Sequence, residues 1–491
     1  MQIVSSNNLP KHCSSDESLW IYNGLDCAAT GLAWEGMRKQ ASPEADLSYS
    51  FVSAMRAPAL EMMLRGILID MEQRQRFIQD YSKQSVQLQS NLDLFARAIW
   101  DKGLNPASPK QMKEFLYETM HLPVQYKNDK GVRKISADRD ALEKLSFHFY
   151  AQPIINTVLA IREVDKKLGF LRTGIDSDYR CRTSFNVVGT ETGRWSSSEN
   201  PFGTGTNQQN ITDELRRMFI ADPGKKLAYL DMDQAESRVV AYISQDQGYL
   251  SACNSGDLHT VVCRMVWPEL PWKGTLQHDK DVAETPYYRH FTYRDMAKRG
   301  GHASNYMVSP RTMAKHLKLE EKVTAAFQDA YFRAFPGIKR WHQAVALQLQ
   351  TKGFMVTALG RKRNFLGRRF DEATLREAVA NEPQSIVGEL LNLFLYRVWK
   401  SNLVEILAQI HDAILIQYPA EIETEIIPKI TALGRTEVSF PCGTMVIPVS
   451  AQVGWNWAKA SKHNPNGLLK YKGNDDRTPP TYGGILDWQI S

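Results

Sequence analysis

Two strand-like apolar runs lie 181 residues apart, and each ends on an aspartate, at Asp231 and Asp412. An apolar strand offers such a charge no partner, so an unpaired carboxylate there is costly. In Leu227-Ala-Tyr-Leu-Asp231-Met-Asp-Gln-Ala-Glu236-Ser-Arg238 an alternating run stops at the acid and a helix-like pattern begins. In Ala408-Gln409-Ile-His411-Asp412-Ala-Ile-Leu-Ile-Gln two strand segments hinge at His-Asp, which reads as a hairpin with the acid at its bend. Either acid alone has an ordinary reading as a helix or turn cap. As a pair they point to bound metal, because strand-end carboxylates hold Mg²⁺ ions ~3.5–4 Å apart around an in-line phosphoryl displacement.

The run between the acids is too long for a loop, and about 257–395 it is mainly helical in pattern. With 491 residues, 43% hydrophobic and 23% charged, the chain exceeds what one core organises, and it is not disordered. A net charge of +6 has the sign wanted by a polyanionic partner. Six scattered cysteines show no zinc-ligand spacing, so no structural zinc is expected and a reducing compartment is favoured over a disulfide framework. The first residues carry neither a signal core nor a transit pattern, and no stretch resembles a membrane span. The expected setting is cytoplasmic, with no membrane partner.

Residues 50–100 read as helix, interrupted at Arg65-Gly66-Ile-Leu-Ile-Asp70 by a turn and short strand. Ser108 can cap a helix that opens on Pro109. Lys127 to Lys134 reads as a polar loop with four cations, and helix resumes to about Leu171. From Arg182 the pattern turns to short strands and polar turns. Gly360-Arg361-Lys362-Arg363-Asn-Phe365-Leu-Gly-Arg368-Arg369 puts five cations in nine residues around an aromatic, which suits phosphate contact. The segment from Lys462 is rich in Asn, Gly and Pro and reads as loosely packed, with Trp488 as a candidate anchor.

The third chemical element is Arg294-Asp-Met-Ala-Lys298-Arg-Gly-Gly-His302-Ala-Ser-Asn-Tyr306, where four functional side chains recur every four residues and share one helix face. Arg294 and Lys298 can grip a triphosphate and offset charge on leaving pyrophosphate, and an aromatic further on can lie against a base or sugar. Taken alone, such a pair is usually a solvated face. Between two acid-tipped strands it carries more weight.

These three segments resemble motifs A, B and C of family A DNA polymerases, the group of bacterial DNA polymerase I and its phage relatives, and the resemblance extends over most of the chain. Gly193-Arg194-Trp-Ser-Ser and Gln209-Asn210-Ile211 look like the family's template-primer segment. Asp257-Leu-His259 resembles the start of its fingers, and Tyr331 to Gly337 and Gly360 to Arg363 fall at fingers helices and the following hairpin. Arg376 and Gln384 match a pair near the templating base and primer terminus, and Ser108-Pro109-Lys110-Gln111 matches the thumb.

The resemblance implies a mixed, helix-rich α+β right hand with an antiparallel palm sheet. Its expected divisions are 1–45 as the end of an exonuclease domain, 46–87 as a helical base, 88–180 as thumb, 181–256 and 396–461 as palm, 257–395 as fingers and 462–491 as a tail. It implies a DNA-directed DNA polymerase, phage-encoded or otherwise replicative, acting on primer-template DNA and dNTPs with two Mg²⁺ ions, for which Mn²⁺ can substitute. The alternatives are a lesion-bypass or repair polymerase of the same fold, or a non-catalytic primer-template binding subunit. By the same resemblance Asp231, Asp412 and the Met232 carbonyl become metal ligands, and Lys298 the acid for pyrophosphate. Arg294, Lys298, His259, His302, Tyr306 and Glu236 face the nucleotide, with Glu236 excluding a 2′-hydroxyl. Arg194, Gln209, Asn210, Arg361, Lys362, Arg363, Arg376, Gln384, His411 and Lys110 face DNA.

Four departures stand out. His302 replaces Phe or Tyr, Met307 replaces a glycine, Ala413 replaces a glutamate, and Gly300 with Gly301 weakens the helix by roughly 1 kcal/mol each against alanine. Leu19 to Thr30 resembles the last motif of a 3′–5′ exonuclease domain, with Tyr22 and Asp26 as its site residues. The bland alternative is a helix packed on the palm with Asp26 solvated. The sharper expectation is a separate exonuclease subunit, or another replisome protein, docking on residues 1–45.

Overall fold

Both acid-tipped runs enter one antiparallel sheet as neighbouring strands. The computed structural model describes residues 14–129, 132–289 and 291–473. Helix α1 (Ser15–Gln40) leads through two shorter helices to α2 (Met71–Trp100), α3 (Pro109–Lys113), the hairpin β1 (Tyr126–Asp129) and β2 (Val132–Ile135), and α4 (Gln152–Leu171). A second hairpin, β3 (Ser184–Asn186) with β4 (Ser196–Ser198), precedes β5 (Lys225–Met232) and α5 (Ala235–Ser244). Next come α6 (Leu258–Val266), α7 (Tyr293–Asn305), α8 (Glu321–Ala334), α9 (Pro336–Lys352), the hairpin β6 (Phe354–Val356) and β7 (Lys362–Asn364), and α10 (Glu372–Ser401). The chain then returns to the sheet with β8 (Glu405–Ile410), β9 (Ala413–Pro419), β10 (Val449–Gly454) and β11 (Leu469–Lys470), giving the order β8-β9-β5-β10-β11.

Burial follows from these patterns. Strand β9 is apolar at almost every position because helices cover one face of the sheet and other chain segments the other, so Ile414, Leu415 and Ile416 are all inaccessible. Three apolar cores result. One lies under the sheet (Leu230, Met232, Phe394, Ile416), one among α6 to α9 (Met296, Phe327, Tyr331, Phe335), and one between α2 and α4 (Leu92, Phe115, Leu142, Ile155). Long helices are shared between cores: α10 places Ala378 and Val379 in the second and Ile386 to Val398 in the first. Helix α4 likewise gives Ile154 to Ile161 to the third core and Val164 to Leu171 to the first. The expected divisions at 87/88 and 395/396 therefore fall inside continuous helices.

Several local expectations change. The cationic loop over Lys127 to Lys134 is an exposed hairpin, with 130 and 131 outside the described residues. Helix α7 stops at Asn305, leaving Tyr306 as its cap. Part of the supposedly loose C-terminal segment is ordered, since Leu469 and Lys470 pair with Val453 and Gln452. Trp488 lies outside the described residues. Helix α1 forms behind a Ser14 and Glu17 capping box yet buries none of its side chains, so it does not pack on the sheet, and Tyr22 and Asp26 are exposed along it.

Candidate active site

The register sets the acids. Ala413 pairs with Asp231, so Asp412 stands one residue past the end of that ladder, and its carbonyl accepts from Met232 N at 3.2 Å. Only two residues, His411 and Asp412, join β8 to β9, and His411 takes φ +54° at the first turn position. A β-carbon there is strained, a feature found where surrounding structure fixes a functional residue. Burial pushes the Asp231 carboxyl up to about 7, reinforced by the charges of Asp412 and Asp233 and opposed by Lys459. Burial likewise raises Asp412, with Glu236 adding to it and Arg194 and His411 opposing. These carboxylates are crowded and under-compensated, and hard oxygen donors of this kind suit a divalent cation. Among the described residues no three His, Cys, Asp or Glu side chains form a ready-made cage.

Ala413 is inaccessible and lies opposite Asp231 across the ladder, so its side chain shares a sheet face with that acid. A glutamate at this position would add another carboxylate there; alanine leaves Asp231 one fewer like charge.

Glu236, in the first turn of α5, is the hub of the cleft. It forms an ion pair with Arg194 from the β3–β4 connection and accepts a hydrogen bond from the Tyr306 hydroxyl, with His302 Nε2 at 4.0 Å. Burial, then the Glu236 charge, raises the Tyr306 phenol far above its ordinary value, so it stays a donor.

Helix α7 begins at a capping box of Thr292 and Asp295 and turns Met296, Ala297, Gly300 and Ser304 into the core. Its other face carries Arg294, Lys298 and His302 into the cleft. The Arg294 guanidinium donates to both oxygens of Asp257 at 3.0–3.3 Å. Lys298 is exposed, with no carboxylate partner among the described residues. His259 is held down at about 4 by burial and by the Arg294 and Lys298 charges, and is therefore neutral at pH 7.

The residues expected to face DNA divide into two groups. Gln209 donates to Gln409 Oε1 at 2.9 Å, Asn210 opens onto a cleft beside Arg162, Lys166 and Lys167, and His411 is exposed at its turn. Arg376 pairs with Glu372 at 2.7 Å, Gln384 is half-buried on α10, and Lys110 is exposed on α3. Arg361 and Arg363 depart from the expected phosphate-facing run. Strand alternation turns them inward, Arg361 onto Glu389 at 2.9 Å and Arg363 onto Glu191 and Glu377 at 2.5 and 3.3 Å, while Lys362 turns out.

Sequence reasoning gave Asp257 no role beyond opening the fingers, and it passed over Asn381 and Ser385. Both of the latter are inaccessible on α10, and their side-chain polar atoms have no hydrogen-bond partner among the described residues. The available signal was a polar stripe, Asn381, Ser385, Glu389 and Asn392, at helical spacing in an apolar helix.

The family model for DNA polymerase family A matches residues 75–459. DNA polymerase I of Caldicellulosiruptor bescii is 28% identical over 81% of this chain and 45% of its own length, and that of Geobacillus stearothermophilus 27% over 74% and 41%. This chain thus spans less than half the length of the curated relatives it matches. The polymerase domain of Pol1 from M. smegmatis, solved in complex with DNA primer-template and dNTP, superposes with a TM-score of 0.69 at 24% identity, covering 82% of this chain and 70% of that one. The fold is the right-hand polymerase fold, with its mixed helices and antiparallel sheet, and the chain belongs to DNA polymerase family A.

Proposed function

We propose that this chain is a template-directed DNA polymerase that extends a primer 3′-hydroxyl with dNTPs and releases pyrophosphate, in a replicative role. The observation that carries this reading is the junction at Glu236, whose charge acts on Asp412 and which Tyr306 and His302 reach from the segment that carries Arg294 and Lys298. The sheet lobe serves as palm, α6 to α9 with the start of α10 as fingers, and the α2–α4 lobe as thumb. Asp231, Asp412 and the Met232 carbonyl would hold two Mg²⁺ ions, replaceable by Mn²⁺, which supply activation of the primer hydroxyl and charge neutralisation on the phosphates. Arg294, held in line by Asp257, binds the triphosphate, and Lys298 delivers a proton to pyrophosphate. His259, neutral, adds a hydrogen bond without a competing charge. Glu236 closes the space a 2′-hydroxyl needs, and Tyr306 and His302 border the sugar and base. Arg194, Gln209, Asn210, Arg376, Gln384, Lys110 and His411 contact primer-template.

The described cysteines are free thiols, which supports a reducing, cytoplasmic setting, and no described helix is long and apolar enough to cross a membrane. The bare apolar side chains of α1, Trp20 at 67% exposure among them, support a protein partner there, for which a separate 3′–5′ exonuclease subunit is the expected candidate.

Primer extension tests the central reading. Asp231→Ala and Asp412→Ala should each cut extension by a thousandfold or more, about 4 kcal/mol of barrier, with primer-template affinity nearly unchanged. Near-normal extension by either variant sinks the assignment, and the same loss in Arg194→Ala with intact metal ligands would not rescue it.

A further inference from the structure

Arg194 reaches Glu236 from a turn whose own sequence does little to hold it. Thr190 to Arg194 reads Thr-Glu-Thr-Gly-Arg, and Gly193 takes φ +81°. The Gly193 N–H donates to the Thr190 carbonyl at 3.1 Å, and the Thr190 hydroxyl donates to the Arg194 carbonyl at 2.9 Å. A short polar turn built on glycine has many conformations open to it. In the fold it is gripped by two elements remote in sequence. Helix α10 passes so close at Gly388 that a β-carbon there would meet Arg194 Cγ at 3.4 Å and the Arg194 nitrogen at 3.5 Å. Four residues on, the buried Asn392 amide donates to the Gly193 carbonyl at 3.2 Å. The β6–β7 hairpin supplies the other side of the grip. A β-carbon on Gly193 would meet the Arg361 guanidinium at 2.8 Å, and Arg363 pairs with Glu191 in the same turn at 2.5 Å. Arg361 is fixed in turn by Glu389 at 2.9 Å, a residue that lies on α10 between Gly388 and Asn392. A buried ion pair is a poor source of stability. This one stands where it holds a glycine turn in place.

We propose that Arg361 and Asn392 are positioning residues for the cleft, fixing the Gly193–Arg194 turn so that the Arg194 guanidinium stays on Glu236. Both act through Arg194 rather than on the substrate. The Glu236 and Arg194 charges act on Asp412 with opposite sign, so a displaced Arg194 leaves an uncompensated carboxylate beside that acid. The proposal rests on the polymerase reading, since that reading makes nucleotide insertion the measure of the cleft.

Rapid-quench insertion of a single nucleotide by the full chain tests it, because rate and amplitude are read separately. Asn392→Leu keeps the side chain's bulk and removes its donor. Arg361→Lys keeps a charge for Glu389 and removes the planar group behind Gly193. Each should slow insertion about fivefold, the effect of one hydrogen bond. In an Arg194→Gln background both losses should disappear, since the route through Arg194 is already cut. A loss of the same size in that background overturns the proposal in favour of general packing. A lower amplitude at unchanged rate also overturns it, because only the folded fraction has then changed. Absence of insertion by the unaltered chain removes the polymerase reading, whereas normal insertion by the unaltered chain and by both single variants removes this proposal alone.

Discussion

Glu236 serves three partners, and each was legible to a different degree. The family resemblance marked it as a gate, but nothing local pointed to Arg194 or Tyr306, which lie 42 and 70 residues away. Replacing Glu236 with Ala should raise ribonucleotide incorporation relative to deoxyribonucleotide by roughly tenfold or more, read by competitive single-nucleotide insertion; unchanged discrimination would move the gate to His302. Asp257 was invisible as a functional residue because an N-cap aspartate is ordinary, and here the same carboxylate both caps α6 and orients Arg294. Asp257→Asn should raise KM for dNTP about tenfold while leaving DNA affinity alone, consistent with the 1.5–3 kcal/mol typical of a hydrogen bond to a charged group. Glu382 supplies a pH test away from the chemistry. Burial lifts its carboxyl to about 7, opposed by a hydrogen bond from the Ala358 backbone. The folded chain therefore keeps a proton that the unfolded chain has lost, so stability from this group falls as pH rises from about 4.5 through about 7. Glu382→Gln should raise Tm more at pH 8 than at pH 5, by on the order of 2 kcal/mol in stability.

At the level of elements, α7 shows why glycine in a helix can be read in two ways. From sequence, Gly300 and Gly301 weaken the helix. In the fold they are where α8 comes closest, since a β-carbon on Gly300 would meet the Phe327 ring at 2.5 Å and one on Gly301 the Tyr331 ring at 3.2 Å. Gly300→Ala should therefore destabilise by about 1–3 kcal/mol despite alanine's higher helix propensity, and Phe327→Leu should recover part of that loss in a urea-unfolding double-mutant cycle. Met307 keeps the left-handed conformation, φ +56°, that its position would give a glycine, so the turn after α7 survives the replacement under strain. The β8–β9 hairpin was legible to the residue because apolar alternation and a polar hinge specify it. The β6–β7 hairpin also forms where it was expected, but charge composition did not show that Arg361 and Arg363 pair with carboxylates there.

Across the whole molecule the net charge of +6 has the sign a DNA partner wants, and the ion pairs set which cations would be free to meet it. Arg368→Gln should lower the slope of log affinity against log salt by about 1, whereas Arg361→Gln should leave the slope alone and cost about 3 kcal/mol of stability by stranding Glu389. Titrating primer-template at several salt concentrations separates the two. The divisions between lobes were expected from the family resemblance, and two of them, at 87/88 and 395/396, fall inside helices because a long helix buries a different stretch in each core. That arrangement has a mechanical consequence. The α2–α4 lobe is carried like a cantilever by two continuous helices clamped at Tyr81 and at Val164 to Leu171, so it swings by elastic bending between Ile161 and Val164 rather than by pivoting on a slack tether. Its displacement under load should be small and restoring, and under the proposed function stiffness rather than linker length would govern how firmly it closes on a duplex.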